Sequence, residues 1–330
     1  MNSGLHRLAV ITAIIAFCVI VLGAYVRLSH AGLGCPDWPG CYGQLTWPAE
    51  SQEVLDANQQ FPGRPVESDK AWKEMVHRYL AGSLVLLVVA INFLAWKTDK
   101  RQTGFKPLAA LLLVLILFQA ALGMWTVTLK LWPIVVMGHL LGGLATFGIL
   151  LWITYRSRES GSDKATADFG NLRLLIMAAL AVLAVQLALG GWTSSNYSAL
   201  ACPDFPTCQG QWWPEADFSE GFVLWREIGV DYEGGVLDLP SRVAIQLAHR
   251  IGALVTLIVL GLLAFRLICK AATLRSGAVL GVLLVTQVVL GILNILFFLP
   301  LPNAVAHNAV GALLVASMIW LLHRSNPRPV

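Results

Sequence analysis

Residues 35–48 read CPDWPGCYGQLTWP, and residues 202–214 read CPDFPTCQGQWWP. The two segments share a Cys-Pro-Asp start, a second cysteine and a closing Trp-Pro, which is too dense a match to arise by chance. They fix an internal offset of 167 residues. Matching residues continue at nearly this offset on both sides: Leu22-Gly23 with Leu189-Gly190, Gln119 with Gln287, and Gly123 with Gly291. The sequence therefore indicates a duplicated unit.

The apolar segments around these loops are long enough to cross a bilayer. Of the 330 residues, 57% are hydrophobic and 13% are charged, and the mean hydropathy of +0.68 exceeds what a soluble domain needs. Because about 20 apolar residues span the hydrocarbon core, the sequence predicts eight transmembrane helices. They lie near residues 6–28, 74–96, 107–129, 133–155, 171–192, 242–267, 275–299 and 303–323.

The duplication divides these helices into two sets of four. An even number of spans returns the chain to the same side of the membrane, so the two sets form a parallel repeat. The predicted fold class is an all-α polytopic membrane protein with two tandem four-helix bundles related by a pseudo-twofold internal duplication. We expect an N-terminal unit over residues 1–155, a polar cytoplasmic linker over residues 156–170 and a C-terminal unit over residues 171–330.

Charge is divided between the long and the short connections. Segments 29–72 and 193–241 hold 14 of the 19 Asp and Glu residues, whereas the short connections and both termini hold 14 of the 23 Lys and Arg residues. The positive-inside rule then predicts cytoplasmic termini and outward, periplasmic or extracellular, long loops in a bacterial inner membrane. The net charge of +4 is an orientation signal, and its scattered basic residues argue against nucleic-acid binding.

Four of the seven histidines occur about one to two turns into predicted helices: His77, His139, His249 and His307. An unpaired imidazole is disfavoured in a membrane, whereas two imidazoles on adjacent helices can clamp one haem iron inside a four-helix bundle. The repeat pairs His77 with His139 and His249 with His307, at similar depth near the outer face. For any single histidine, packing against a carbonyl is the alternative. Zinc or copper is disfavoured, because no further ligand recurs in both units.

Three residues before the first histidine of each unit, the repeat carries Glu74 in one half and Gln246 in the other. Residues three apart share a helix face, so either side chain would lie beside the edge of a bound porphyrin. Glutamine cannot exchange a proton, whereas glutamate can. We therefore expect the N-terminal unit to be catalytic, with Glu74 as the catalytic residue. A carboxylate that only stabilises the helix start is the alternative.

Other polar residues admit two interpretations each. Arg78 and Arg250 directly follow histidines, and they either bind haem propionates or extend to the membrane surface. The cysteine pairs of the outward loops, Cys35 with Cys41 and Cys202 with Cys208, lie in the oxidising compartment around tight turns, which predicts a disulfide in each loop. A structural role is expected for both, and a redox role for the first pair stays open.

Together these motifs resemble the haem A synthase family over nearly the whole chain. The resemblance rests on EMVHR at residues 74–78, AHR at residues 248–250, AHN at residues 306–308 and the two CPDxPxC loops. In that family a methyl group of haem O is oxidised, through a hydroxylated intermediate, to the formyl group of haem A for cytochrome oxidase. Haem O synthase is the natural supplier of that substrate.

The resemblance also implies a role for each site residue. Glu74 matches the essential glutamate, and His77 with His139 match the axial ligands of the substrate haem. His249 and His307 match the ligands of a resident haem b, and the cysteine pairs match the family's disulfides. An electron acceptor is required, and the sequence indicates neither that acceptor nor whether the chain forms a homo-oligomer.

Two other functions were compatible with parts of the sequence. A di-haem b-type cytochrome that carries electrons from a quinol would explain the four histidines, but it gives no reason for a glutamate in one unit only. Such carriers usually place haems near both membrane faces, whereas all four histidines here are expected near one face. A quinone-linked thiol oxidase would use the cysteine pairs but leaves the histidines unexplained.

Overall fold

The computed structural model describes residues 3–97, 105–158, 169 and 172–326. Within these ranges eight helices are long and apolar enough to cross a membrane, which confirms the predicted all-α, eight-span fold. They are α1 Ser3–Leu28, α3 Ser68–Lys97, α4 Phe105–Thr128, α5 Pro133–Arg158, α6 Arg173–Ser195, α8 Leu239–Ile268, α9 Leu274–Leu296 and α10 Leu301–Arg324. Two further helices, α2 Ser51–Gln60 and α7 Phe218–Gly221, lie in the long loops.

The spanning helices α3 and α8 start in polar or capped turns before the apolar runs that predicted them. α3 begins six residues earlier than expected, in a polar turn where Asp69 and Lys73 form an i,i+4 ion pair of 2.7 Å. α8 begins at Leu239, and the side chain of Asp238 caps it by accepting a hydrogen bond from the Ser241 amide at 3.0 Å. Because caps and polar turns are not apolar, a hydropathy pattern cannot include them.

The eight helices pack as two closed rings of four. In the first ring α1 contacts α3 and α5, and α4 contacts the same two helices; in the second ring α6 contacts α8 and α10, and α9 contacts the same two. The rings meet where α1 packs on α10, α5 on α6, and α5 on α10. These contacts follow the repeat, since α1 corresponds to α6 and α5 to α10.

Two contacts between the rings join residues that are one repeat apart. Arg27 donates from Nη2 to the carbonyl oxygen of Ser194 at 2.6 Å, across a separation of 167 residues. The ring of His30 stacks on that of Tyr197, 167 residues further on, with 5.9 Å between centroids. Residues beside a twofold axis meet their own counterparts. The duplication stays a prediction of the sequence, and these contacts are the ones that a pseudo-twofold axis requires.

The main buried core occupies one end of the molecule. We call the end that carries residues 29–67 and 196–238 the loop end, and the opposite end, where α5 finishes and α6 begins, the linker end. Among the described residues, every buried member of the main cluster lies near the middle of its helix or toward the linker end. The most deeply buried include Leu5, Val88, Leu112, Leu150, Ile176, Leu260, Leu280 and Leu321.

The second long loop also fastens the two rings together at the loop end. The amide of Tyr232 donates to the carbonyl of Lys130 at 3.1 Å, and Trp225 packs edge-on against Trp132 with 4.6 Å between centroids. Arg64 of the first loop bonds to two carboxylates of the second loop, at residues 231 and 233. Most of the predicted linker, from residue 159 onward apart from residue 169, lies outside the described residues, so its boundaries remain predictions.

Candidate functional site

Each of the four predicted histidine ligands lies against a glycine of a neighbouring helix, toward the loop end. A β-carbon built on the glycine would stand 2.9 to 3.4 Å from the histidine Cε1 atom in all four cases. The pairs are Gly23 of α1 with His77 of α3, Gly123 of α4 with His139 of α5, Gly190 of α6 with His249 of α8, and Gly291 of α9 with His307 of α10. The four glycines are themselves repeat-equivalent, so both units build the same contact. We call each such glycine, with the histidine ring packed against it, a glycine seat.

The pairing of the histidines as ligands stays a prediction, and the electrostatics of the site are compatible with it. His77 and His139 are close enough to interact electrostatically, and His249 interacts with His307 in the same way. The buried Nδ1 atoms of His77, His139 and His307 have no hydrogen-bond partner among the described residues. A buried polar atom without a partner costs free energy. Coordination through an imidazole would order these rings.

These features fit a haem in each unit. Each unit brings two histidines from different helices toward the loop end, and the glycine seats let helix backbones approach the rings closely. In the part of the chain that the structure covers, no group of three His, Cys, Asp or Glu side chains lies close enough together to hold a bare metal ion.

Glu74 lies one turn before His77 and is held at the junction of α3 with the first disulfide loop. Its side chain is 4% exposed. One carboxylate oxygen accepts a hydrogen bond from the Cys35 amide at 2.9 Å, and the other pairs with the guanidinium of Arg78. The carboxylate is therefore fixed between the loop and the helix that carries the histidine. Its distance to a bound porphyrin remains a prediction.

The repeat counterpart of Glu74 has different surroundings. Gln246 is also buried, at 4% exposed, but its Oε1 atom has no hydrogen-bond partner within the described ranges. In the second unit Arg250 donates to the carbonyl oxygens of Cys202, Asp204 and Thr207 at 2.7 to 3.0 Å. The carboxylate of Glu74 therefore joins the loop to the helix through a contact that the Gln246 oxygen does not repeat in the described part of the second unit.

Arg78 holds the first loop as Arg250 holds the second. Its Nη1 atom donates to the carbonyl oxygens of Asp37, Pro39 and Gly40 at 2.9, 3.3 and 2.5 Å. The structure therefore gives both arginines a partner that the sequence did not suggest: backbone carbonyls of the disulfide loop. Binding of haem propionates stays a prediction; the buried Nε atom of Arg250 has no partner in the described part of the chain.

Both loops are closed by the predicted disulfides and by an aspartate. Cys35 is bonded to Cys41, and Cys202 to Cys208. In the second loop the Asp204 carboxylate accepts hydrogen bonds from the Thr207 hydroxyl and from the amides of Gln209 and Gly210. These donors, the hydroxyl first, hold the pKa of Asp204 below its usual value. Asp37 binds the amides of Tyr42 and Gly43 in the first loop, so the two loops share one design.

Glutamines beside the histidines are the part of the site that the sequence indicated least. Gln119 and Gln287 match in the repeat, and Gln287 joins α9 to α10, with its Nε2 atom 3.2 Å from Nε2 of His307. Gln119 fills the space beside Gly142, where a β-carbon would be 1.8 Å from its amide nitrogen. Gln186, which has no glutamine at the equivalent place in the first unit, contacts His249 at 3.1 Å. Only its polarity inside an apolar helix marked it.

Known proteins match this chain over nearly its full length. A family model described as Cytochrome oxidase assembly protein, COX15-CtaA, matches residues 6–319. A heme A synthase of Shewanella oneidensis is 46% identical over 320 residues, which cover 96% of this chain and 96% of the relative. Heme A synthases of Rhizorhabdus wittichii and Paracoccus denitrificans are 26% and 27% identical, over 97% and 94% of this chain and 94% and 84% of theirs. The matches therefore include both rings of helices.

Proposed function

The chain belongs to the COX15-CtaA family of cytochrome oxidase assembly proteins, and we propose that it is a haem A synthase, an oxidoreductase that converts haem O to haem A. The observation that carries the proposal is the match to relatives of that name over both rings, at 46% identity for one of them. The alternative of a di-haem electron carrier gains no support from these relatives. The thiol oxidase gains none either.

Haem O binds in the first ring as the substrate, between His77 and His139. The two imidazoles approach from α3 and α5, and a glycine of the neighbouring helix lies against each ring. A fixed substrate is important, because the oxidation of an unactivated methyl group requires that this methyl group keep the same position relative to the reacting residues.

Glu74 handles protons in this unit. Conversion of a methyl to a formyl group releases protons as well as electrons, so a base beside the reacting edge is needed. Arg78 and the Cys35 amide fix the carboxylate one turn before His77, where it can accept a proton or orient a water molecule. Because the ion pair neutralises the carboxylate within a membrane helix, it lowers the cost of keeping a charge there. No equivalent base exists in the second unit, where Gln246 stands.

The second ring holds haem b between His249 and His307 as the resident cofactor. When bound, that haem supplies one-electron transfer, taking electrons from the oxidation toward an acceptor. The chain's own contribution is to keep both imidazoles at the depth of the first pair, since α8 and α10 start at the loop end as α3 and α5 do. The Cys35–Cys41 and Cys202–Cys208 disulfides act structurally, by keeping each loop closed over its ring.

The chain is a multi-pass membrane protein, and we place it in a bacterial inner membrane with cytoplasmic termini and periplasmic loops. The excess of acidic residues in the long loops supports this orientation. Haem O synthase supplies the substrate at the same membrane.

Expression of the protein in cells that make haem O, followed by chromatography of haems extracted from membranes, tests the proposal. Haem A in the extract, absent from cells that carry the His77→Ala variant, is the expected result. Haem b bound to the purified protein without any haem A in the membranes would favour the electron carrier and overturn the synthase.

A further inference from the structure

Gln186 of α6 is the one described glutamine whose amide bonds both to a site histidine's ring and to that histidine's backbone. Its Nε2 atom lies 3.1 Å from Nδ1 of His249 and donates to the His249 carbonyl oxygen at 3.1 Å. The amide thus spans from the ring to the backbone of the same residue. A contact of this kind fixes the rotation of the imidazole about its side-chain bonds.

Gly252 makes room for this contact. A β-carbon on Gly252 would stand 2.3 Å from Oε1 of Gln186, so only glycine leaves space for the amide between α6 and α8. Gly252 is three residues after His249, one helical turn along the same face. The second unit therefore carries a matched pair, a glutamine on one helix and a glycine on the next.

The first unit lacks both members of the pair. At the offset of 167 residues the counterpart of Gln186 is Val19, and the residue three after His77 is Leu80. Nδ1 of His77 has no hydrogen-bond partner in the described ranges, whereas Nδ1 of His249 has Gln186. The two units, alike in their histidines and glycine seats, differ in this one contact to the first histidine.

We propose that Gln186 is a positioning residue that makes the second site a retaining site, and that its absence leaves the first site able to exchange its haem. The inference rests on the proposed function, because it assumes that the first haem is substrate and the second is resident. A bond from the outer nitrogen of a ligand imidazole to a protein group orients the ring and raises its basicity, which strengthens the bond to the metal.

The glutamine amide suits either tautomer of the histidine. As the structure stands, the amide donates, and its Oε1 atom has no partner elsewhere in the described chain. When Nε2 of His249 binds iron, Nδ1 carries the proton. Rotation of the terminal amide then exchanges the bond from Nε2 to the His249 carbonyl oxygen for a bond from the protonated Nδ1 to Oε1, which satisfies that oxygen.

The test uses purified full-length protein loaded with haem b. Haem loss is followed as transfer to an excess of a haem-free globin, and the reduction midpoint of the retained haem is measured by spectroelectrochemistry. Gln186→Met keeps the length of the side chain but cannot accept a strong hydrogen bond, and Gln186→Glu keeps an acceptor. Leu187→Met places the same new side chain one position along α6 as the control.

We expect Gln186→Met to release haem b about ten- to a hundredfold faster, the range found for lost partners of metal ligands, and to raise the midpoint. Gln186→Glu should release haem b much more slowly than Gln186→Met does, because it keeps an acceptor. Leu187→Met should behave as the unaltered protein does. Equal release rates and midpoints for Gln186→Met and the unaltered protein would overturn the proposal.

The reverse exchange tests the same idea in the first unit. Val19→Gln combined with Leu80→Gly builds the glutamine–glycine pair beside His77, and haem loaded there should leave about tenfold or more slowly. Unchanged retention would overturn the claim that this pair distinguishes the sites. Failure of the proposed function has a different signature, since it appears as missing haem A in membrane extracts and leaves the release rate of haem b unaffected.

Discussion

Gly23 of α1 lies directly against the imidazole of His77, so closely that a β-carbon on the glycine would be 2.9 Å from Cε1. Carbon atoms in contact prefer separations of about 3.5–4.0 Å. Any larger residue at this place must push the ring away from its seat. The same relation recurs in the second unit between Gly190 and His249 at 3.2 Å. The glycines are therefore part of both histidine sites.

Gly23→Ala should weaken haem binding in the first unit without unfolding the protein. The displaced His77 ring loses its alignment, and a misaligned ligand costs about ten- to a hundredfold in affinity. Titration of the purified protein with haem, followed by absorption of the bis-histidine species, measures the loss. Gly82→Ala is the matched control, because Gly82 lies on α3 with nothing within 4 Å of a β-carbon. Equal haem affinities for the two variants would show that the seat is unimportant.

Glu74→Gln should retain haem in both units while haem A production falls roughly a hundredfold, the scale for a lost acid–base group. Glutamine keeps an acceptor for the Cys35 amide and is already present as Gln246 in the other unit. Chromatography of extracted haems should show haem O or a partly oxidised product accumulating.

Glu67→Gln serves as the control for that variant, since Glu67 is an exposed carboxylate that pairs with Lys70 near the start of α3. It should make haem A at the normal rate. If Glu74→Gln also makes haem A at the normal rate, the carboxylate only joins the loop to the helix. The assignment of catalysis to the N-terminal unit would then rest on family resemblance alone.

The second ring should hold the permanent haem. His249→Ala or His307→Ala is expected to remove most b-type absorbance from protein purified without a haem O source, because each leaves the iron with one ligand. His77→Ala and His139→Ala should leave that absorbance in place. The opposite pattern would mean that the roles of the two units are reversed.

The Cys35–Cys41 disulfide should contribute stability and not redox chemistry. Replacing both cysteines with serine is expected to lower the free energy of unfolding by roughly 2 kcal/mol, the scale for so short a closed loop. Haem A production per folded molecule should stay within a few-fold of normal. Thermal unfolding and haem chromatography on the same sample separate the two effects, and a complete loss of haem A from a stably folded double variant would assign the pair a redox role.

Acid should weaken the second loop through Asp204. Its folded-state pKa lies below the ordinary 3.8, chiefly because the Thr207 hydroxyl and then backbone amides bind the charged form. A depressed carboxyl pKa stabilises the fold above the ordinary value, and that contribution is lost as the pH falls through the folded-state pKa. Asp204→Asn should therefore lower the melting temperature at about pH 6 but much less at about pH 3. An equal difference at both values would contradict this origin.

Much of the architecture could be predicted from sequence, because length and apolarity alone define a membrane helix. The eight spans follow from run lengths, and the loop disulfides follow from two cysteines around a tight turn in each outward loop. α2 was missed, since SQEVLDANQQ is a polar segment without apolar periodicity. Its start is stabilised by Glu53, which accepts from the Glu50 amide at 3.2 Å, a local signal that a search for spans passes over.

The side-chain contacts around the histidines could not be predicted in the same way. Arg78 was expected to meet a haem propionate or the membrane surface, but the fold brings the carbonyls of a loop some 40 residues earlier within its reach. Glu74 meets Cys35 for the same reason. Such contacts depend on how a loop folds back over a helix, and no periodic pattern encodes that. Gln186 was hidden from the repeat, because Val19 stands at its place in the first unit.

The buried cluster at the linker end has a consequence for turnover. A synthase must take in one haem and release another in every cycle, and each exchange disturbs the walls around the ligand. Here the residues that hold the eight helices together, among them Val88, Leu150 and Leu260, lie away from the histidine seats. Haem exchange at the loop end therefore leaves the main hydrophobic cluster of the helices undisturbed. The fold can therefore persist through repeated turnover, because the buried cluster at the linker end does not contact the exchanging haem.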